Sequence, residues 1–373
     1  MPGTFVLGRL LGVPLHINFS WLIIFVAVTY FLIAGQFPSR YPWWSPGAFV
    51  VAGLFTSLLF FGSVVLHELA HSVVARALGI PVHSITLFVF GGVAQVARDP
   101  AHPAGELLMA AVGPLTSLWL ALFFAGVWAI ARPLHEPTMA AAGWLAGLNL
   151  SLAIFNLLPG FPMDGGRVLR SLLWWATGSR GIATWIALAI ARVLAWTFIA
   201  GGVSIAVTDY RHLVNGLWIA FIGWFLSQAV TGSARQARLM AALSGYTARD
   251  VMTSDLAWVA EEATLREVSE QHASRQPRLW FLVLRDGVLS GILGATEMAR
   301  VPKRRWDEVT ASDAMRPVGQ MPLVSPAADA VDVLRQLEEG RIGHAGVISD
   351  GVLVGVVTQR SVFAAAGRWR WPR

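Results

Sequence analysis

Ser63-Val64-Val65-Leu66-His67-Glu68-Leu69-Ala70-His71-Ser72 sets an HExxH pattern inside a long apolar run. Two imidazoles four residues apart on a helix stand on one face, about one turn apart, so both reach a single zinc while Glu68 lies beside a water on that metal. The bland alternative is a helix turn whose histidines are hydrogen-bonded and whose Glu68 is a stray charge. Ionisable groups at membrane depth are costly and usually functional, which favours the metal reading if this run spans a bilayer.

Composition points to that setting. Hydrophobic residues make up 55% of the chain and charged ones 13%, with 17 Trp, and the mean hydropathy is +0.58. These values place the first two thirds of the 373 residues among polytopic membrane proteins, with room for one further soluble domain. Without Cys, disulfides and thiolate ligands are excluded, so a metal must be held by imidazole, carboxylate or carbonyl. The net charge of +6 comes from arginines scattered along the flanks of apolar segments, not from a basic block. Anionic lipid is therefore the expected partner, and nucleic acid is not.

Apolar runs at about 15–34, 49–78, 105–131, 139–158, 182–207 and 213–230 read as six transmembrane helices. The first is too long for a signal peptide and lacks a small-residue cleavage site. Residues 82–96 are β-rich with a Gly91-Gly92 turn and read as a hairpin, tolerable at membrane depth only inside protein or in a wet cavity. His83 and His102 read as ordinary solvated or hydrogen-bonded histidines. Arg9, Arg76, Arg98, Arg167, Arg170, Arg180, Arg235 and Arg238 fall on one side, against Arg40, Arg132 and Arg211 on the other. The positive-inside rule then makes both termini cytoplasmic in a multi-pass cell-membrane protein. Arg192, in mid-span, either lines a polar interior or snorkels.

The fourth span ends in Asn156-Leu-Leu-Pro159-Gly-Phe-Pro-Met-Asp164-Gly165-Gly166-Arg167. Prolines and glycines break the helix where a carboxylate appears, so the backbone can turn Asp164 toward a neighbouring helix; the alternative is an ordinary Asx-type loop. Two histidines and one carboxylate leave a fourth zinc position for water, as a hydrolase requires.

With these motifs in hand, the chain resembles the site-2 protease family of intramembrane zinc metalloproteases. The match rests on His67-Glu68-x-x-His71, Asn156-x-x-Pro159-x-x-x-x-Asp164-Gly165, Phe90-Gly91-Gly92-Val93, and Pro103-x-x-Glu106 leading to Gly113-Pro114-Leu115. The resemblance implies zinc held by His67, His71 and Asp164, Glu68 as general base and proton shuttle, and a re-entrant hairpin (Phe90, Gly91, Gly92, Val93) that aligns an unwound substrate helix. It also implies that Asn156 positions substrate or stabilises the oxyanion.

The remaining residues contain an internal repeat: Asp250-Val-Met252 recurs as Asp313-Ala-Met315, and Gly291-Ile-Leu as Gly355-Val-Val. The pair resembles tandem cystathionine-β-synthase (CBS) domains, soluble α/β modules that bind adenine nucleotides between repeats and form homodimers. Gly291 and Glu297 in the first copy, and Gly355 and Thr358 in the second, match the nucleotide pattern in part; Gly294 and Ser361 depart from it. A purely structural dimerisation module is the alternative.

The expected architecture is a six-helix transmembrane metalloprotease domain with a re-entrant hairpin (1–232), a linker (233–246), and a cytoplasmic tandem CBS domain (247–373; repeats about 247–305 and 310–366). The expected activity is zinc-dependent cleavage of membrane-tethered protein substrates within their transmembrane helices, with nucleotide control. Two other classes fit parts of the sequence. In a CBS-regulated channel or transporter, His67, Glu68 and Asp164 would line an ion path. An inactive relative that binds membrane proteins has no chemical need of all four site groups.

Overall fold

The computed structural model describes residues 3–89, 91–208, 210–254, 256–273, 280–339 and 343–367. The chain divides into two compact units, Met1–Ala234 and Arg235–Arg373.

The first unit opens with two strands, β1 (Thr4–Leu10) and β2 (Val13–Asn18), before any helix forms. The apolar run expected to begin a span at Leu15 is therefore a strand as far as Asn18. Its reason is a period-two alternation: Val13, Leu15 and Ile17 are buried, while Pro14, His16 and Asn18 are only half-buried. Asn18 ends the strand and caps the helix, its Oδ1 accepting from the Ser20 amide at 3.0 Å. Helix α1 (Phe19–Tyr30), a π-helical segment (Phe31–Gln36) and α2 (Phe37–Arg40) then continue as one stretch.

Helix α3 (Pro46–Ala77) starts with Ser45 as its cap and Pro46 in its first turn, and it ends before Gly79, which takes a left-handed φ of +72°. Its 32 residues extend roughly 48 Å, more than the ~30 Å of a hydrocarbon core. Thr56, Ser63, His67 and His71 lie on its buried face, spaced by whole turns. Strands β3 (Val82–Phe88) and β4 (Gly91–Val96) follow, paired antiparallel. They do not stand alone: the sheet order is β1-β2-β3-β4, with β2 and β3 parallel. The chain reverses between Phe88 and Gly91, so the two glycines open β4 and do not form the turn. Gly91, at φ +127°, takes a backbone conformation that side chains disfavour.

Helices α4 (Pro103–Ala131) and α5 (Glu136–Leu157) pack against α3 and each other. After the Pro/Gly break comes α6 (Asp164–Thr177), an amphipathic helix between the apolar runs at about 139–158 and 182–207. It ends at Gly178, φ +68°. Gly165 and Gly166 let α6 start against the carbonyls of Leu157, Leu158 and Gly160, which a Cβ would strike. Helices α7 (Arg180–Thr208) and α8 (Leu213–Leu243) approach through Gly202, Gly216 and Gly223, each facing the other helix's backbone. The segment read as a linker is helical up to Leu243.

Among the described residues, six stretches are long and apolar enough to cross a membrane: Phe19–Arg40, Pro46–Ala77, Pro103–Ala131, Glu136–Leu157, Arg180–Thr208 and Leu213–Leu243.

The second unit runs α9 (Ala248–Val251), β5 (Ala257–Ala260), α10 (Leu265–Ala273), β6 (Trp280–Arg285), β7 (Val288–Gly294), α11 (Ala295–Met298), α12 (Ala311–Ala314) and β8 (Arg316–Pro317). It continues with β9 (Leu323–Val324), α13 (Ala330–Glu339), β10 (His344–Ser349), β11 (Val352–Thr358) and α14 (Gln359–Gly367). Its sheets are ordered β5-β6-β7-β8 and β11-β10-β9. The repeated Asp-x-Met explains itself structurally. Asp250 and Asp313 close capping boxes with Thr247 and Thr310. Met252 lies against Gly355 of the second repeat and Met315 against Gly291 of the first, where a Cβ would collide.

Candidate metal centre

Helix α3 presents His67 and His71 on its buried face, 4% and 7% exposed. The first turn of α6 brings Asp164 to both: its Oδ2 is 3.2 Å from His67 Nε2 and 3.1 Å from His71 Nε2, and the two Nε2 atoms are 3.2 Å apart. Zinc bonded at about 2.05 Å in tetrahedral geometry separates its ligand atoms by roughly 3.3 Å, so this triangle fits the ion. These three form a group of metal-ligand spacing among the described residues. His83 lies on β3 and His102 at the α4 cap, both outside the group.

Two contacts that sequence reading missed orient the imidazoles. His71 Nδ1 lies 2.6 Å from the Met109 carbonyl, which can only accept, so Nδ1 carries the proton and Nε2 presents its lone pair. His67 Nδ1 lies 2.9 Å from Oγ of the fully buried Ser117. Both partners belong to α4, whose Gly113 faces the cluster; a Cβ there would lie 2.7 Å from His67 Nε2 and would also strike His71 Nε2. The Gly113-Pro114 motif marks this helix in the sequence, but a carbonyl partner carries no residue signature. Ser117→Ala should weaken zinc binding about 10- to 100-fold, read by chelator competition, because His67 then loses the group that holds its ring.

Glu68 projects beside the imidazoles and against β4. The Ala94 backbone faces its carboxylate, and a Cβ at Gly92 would sit 3.0 Å from its Cδ and 3.2 Å from its Oε1. Strand β4 is an edge of the sheet, and Val93 is exposed on it. Phe90 lies outside the described residues. Asn156 Nδ2 donates to Leu152 O of its own helix at 3.0 Å. Arg192 is exposed on α7, so it does not line the bundle interior.

An ionic group borders α4 and α6. Glu106 pairs with Arg170, and Asp99 with Arg180. Burial opposes ionisation of Asp99, but Arg180, Arg170 and Arg167 outweigh it and hold the carboxyl below the usual carboxylate range.

In the second unit, Glu297 is buried with Oε1 3.8 Å from Arg316 Nε, and its Oε2 has no hydrogen-bond partner among the described residues. His344 is buried against the Trp280 ring with Nε2 likewise unpartnered. Burial, aided by Arg316 and Arg300, pushes its imidazole down to about 4, so it is neutral at physiological pH. Gly291 and Gly355 serve as seats for the methionines described above. Thr358 and Ser361 cap α14 reciprocally: the Thr358 amide donates to Ser361 Oγ and the Ser361 amide to Thr358 Oγ1, each at 3.0 Å.

Known proteins share this combination of parts. Residues 55–134 and 134–200 match the model of peptidase family M50, and residues 248–304 and 311–368 each match the CBS domain. The sll0528 protein of Synechocystis sp., provisionally named a zinc metalloprotease, is 35% identical over 95% of this chain and 93% of its own length. The Rip3 protein of Mycobacterium tuberculosis, with a similarly provisional name, is 31% identical over 95% of this chain and 91% of its own. The solved site-2 protease from Methanocaldococcus jannaschii is 27% identical and covers 61% of this chain and 94% of that one, with a TM-score of 0.42. The chain belongs to peptidase family M50, the site-2 protease metalloproteases, and carries a tandem pair of CBS domains.

Proposed function

We propose that this protein is an intramembrane zinc endopeptidase that cuts transmembrane helices of membrane-tethered substrates, such as a signalling or transcription regulator. The observation that carries the reading is the triangle of His67 Nε2, His71 Nε2 and Asp164 Oδ2 at zinc-ligand spacing, with Glu68 beside it. Zinc bound there supplies Lewis acidity. Glu68 accepts a proton from the attacking water and passes it to the departing amine nitrogen. The β4 edge aligns the substrate as an added strand, which requires the substrate helix to unwind, since helical carbonyls are hydrogen-bonded and shielded. The complete residue set favours this over a channel or an inactive binder. Comparing membrane proteomes of cells making the parent protein and Glu68→Gln tests it: fragments of spanning proteins should appear with the parent alone, and identical proteomes would remove the reading.

Strand addition carries its own test. Val93→Pro, which removes an N–H within β4, should lower cleavage at least roughly tenfold while zinc content stays at the parent level. Unchanged cleavage would leave the hairpin a structural plug.

The arginine asymmetry supports a multi-pass cell-membrane protein with cytoplasmic termini and CBS domains. An adenine nucleotide in the first-repeat cleft would offer hydroxyl donors to Glu297 Oε2 and phosphate to the nearby arginines, and it would tune cleavage by about 5- to 150-fold, in line with ordinary coupling energies. The mutual capping of Thr358 and Ser361 makes the second-repeat cleft the weaker candidate. Calorimetry of the full-length protein with ATP, ADP and AMP should give heat that Glu297→Ala removes. Silence with all three at millimolar concentration would leave homodimerisation as the module's role.

A further inference from the structure

Among the described residues, Glu106 and Arg170 form the most deeply buried ion pair of the first unit, and the proposed chemistry makes no direct use of it. Glu106, in the first turn of α4, is fully buried, and Oε1 accepts from Arg170 Nε at 2.7 Å and from Arg170 Nη2. The Arg170 side chain is 12% exposed and its guanidinium lies 5.2 Å from the Phe161 ring centroid, in the loop that leads into α6. Two charges taken from water are expensive, and as a source of stability an apolar pair does as well or better. What a forked guanidinium on one carboxylate oxygen enforces is direction and register.

Of the two helices it joins, α6 supplies Asp164, and α4 supplies the contacts that orient the α3 imidazoles. Arg170 lies six residues beyond Asp164 on α6. Glu106 lies one turn before Met109, whose carbonyl holds His71, and α4 also supplies Ser117 to His67. A slip of α6 along α4 by one residue, about 1.5 Å, would carry Oδ2 of Asp164 away from both imidazoles. By contrast, the Asp99–Arg180 pair has side chains 43% and 37% exposed, so water screens it and it sets no comparable register.

We propose that Glu106 and Arg170 are positioning residues: their buried pair fixes α6 against α4, places the Asp164 carboxylate on His67 and His71, and thereby sets the affinity for zinc. This rests on the reading of those three residues as zinc ligands. The test measures the zinc dissociation constant of the full-length protein in detergent by chelator competition, with thermal melting alongside. The variants are Glu106→Gln, Arg170→Lys and the apolar pair Glu106→Leu/Arg170→Met, each with and without Asp164→Ala.

The pair variant should melt near the parent and yet bind zinc at least about tenfold more weakly, in the range expected for outer-shell groups. Arg170→Lys, which keeps the charge, should recover part of the loss. In the Asp164→Ala background the pair substitutions should have no further effect, because the pair acts through that carboxylate. Should the apolar pair not fold, Glu106→Gln, which keeps the side-chain shape, gives the same comparison. Zinc affinity within twofold of the parent in a folded variant, or an equal loss with and without Asp164, would overturn the proposal. A parent that binds no zinc, or Asp164→Ala binding as tightly as the parent, would instead remove the zinc-ligand reading and the pair's role with it.

Discussion

Glu68→Gln should abolish peptide-bond cleavage, a loss of at least about 10²–10⁴-fold, with a full complement of zinc retained. Gln preserves the side-chain shape beside Gly92 and can still face the Ala94 amide region, but it cannot take a proton from water or return one to an amine. Since Glu68 is not in the His67–His71–Asp164 triangle, its loss leaves the ligand atoms in place. Metal analysis and cleavage assays on the same preparation check both halves. Undiminished cleavage by Glu68→Gln would remove Glu68 as the base.

A second large effect is expected from a single methyl group. Gly113→Ala places a Cβ against Nε2 of both imidazoles, where the metal would sit, and α4 has little freedom to retreat because it carries Met109 and Ser117 to the same rings. Alanine is favoured over glycine within a helix by about 1 kcal/mol, so the substitution does not weaken α4 itself. Zinc content should therefore fall to background and cleavage with it, and because buried rings must shift to admit the methyl group the metal-free fold should lose about 1–3 kcal/mol, read by thermal melting. A Gly113→Ala protein with full zinc would show that α4 does not press on the imidazoles as described.

The residues of this candidate site were legible in the sequence because they are chemically unusual where they stand: His67, Glu68 and His71 in an apolar helix, and Asp164 at a Pro/Gly break. Their meeting was implied by the resemblance to site-2 proteases, and the structure brings His67, His71 and Asp164 to within 3.2 Å of one another. Other parts were hidden for physical reasons. Strand β2 merges into the apolar run of α1, and only the alternate burial of Val13, Leu15 and Ile17 separates them. Helix α6 is amphipathic and follows two prolines, so a search for long apolar runs passes over it. The partner of His71 is a backbone carbonyl, which any residue supplies.

The CBS repeat was legible as a repetition, and its methionines proved to seat on glycines of the opposite copy. Its pairings were less so: Glu297 is buried beside Arg316, and Trp280 packs on His344, contacts that no local pattern announces.

The most direct test of the central claim is cleavage of a single-spanning substrate by the purified full-length protein in liposomes, with the fragments sequenced by mass spectrometry. The expected result is a cut within the substrate's hydrophobic segment that stops when zinc is chelated, resumes when zinc is restored, and never appears with Glu68→Gln or Asp164→Ala. Cleavage by the parent that persists without zinc, or that Asp164→Ala performs equally well, would contradict it.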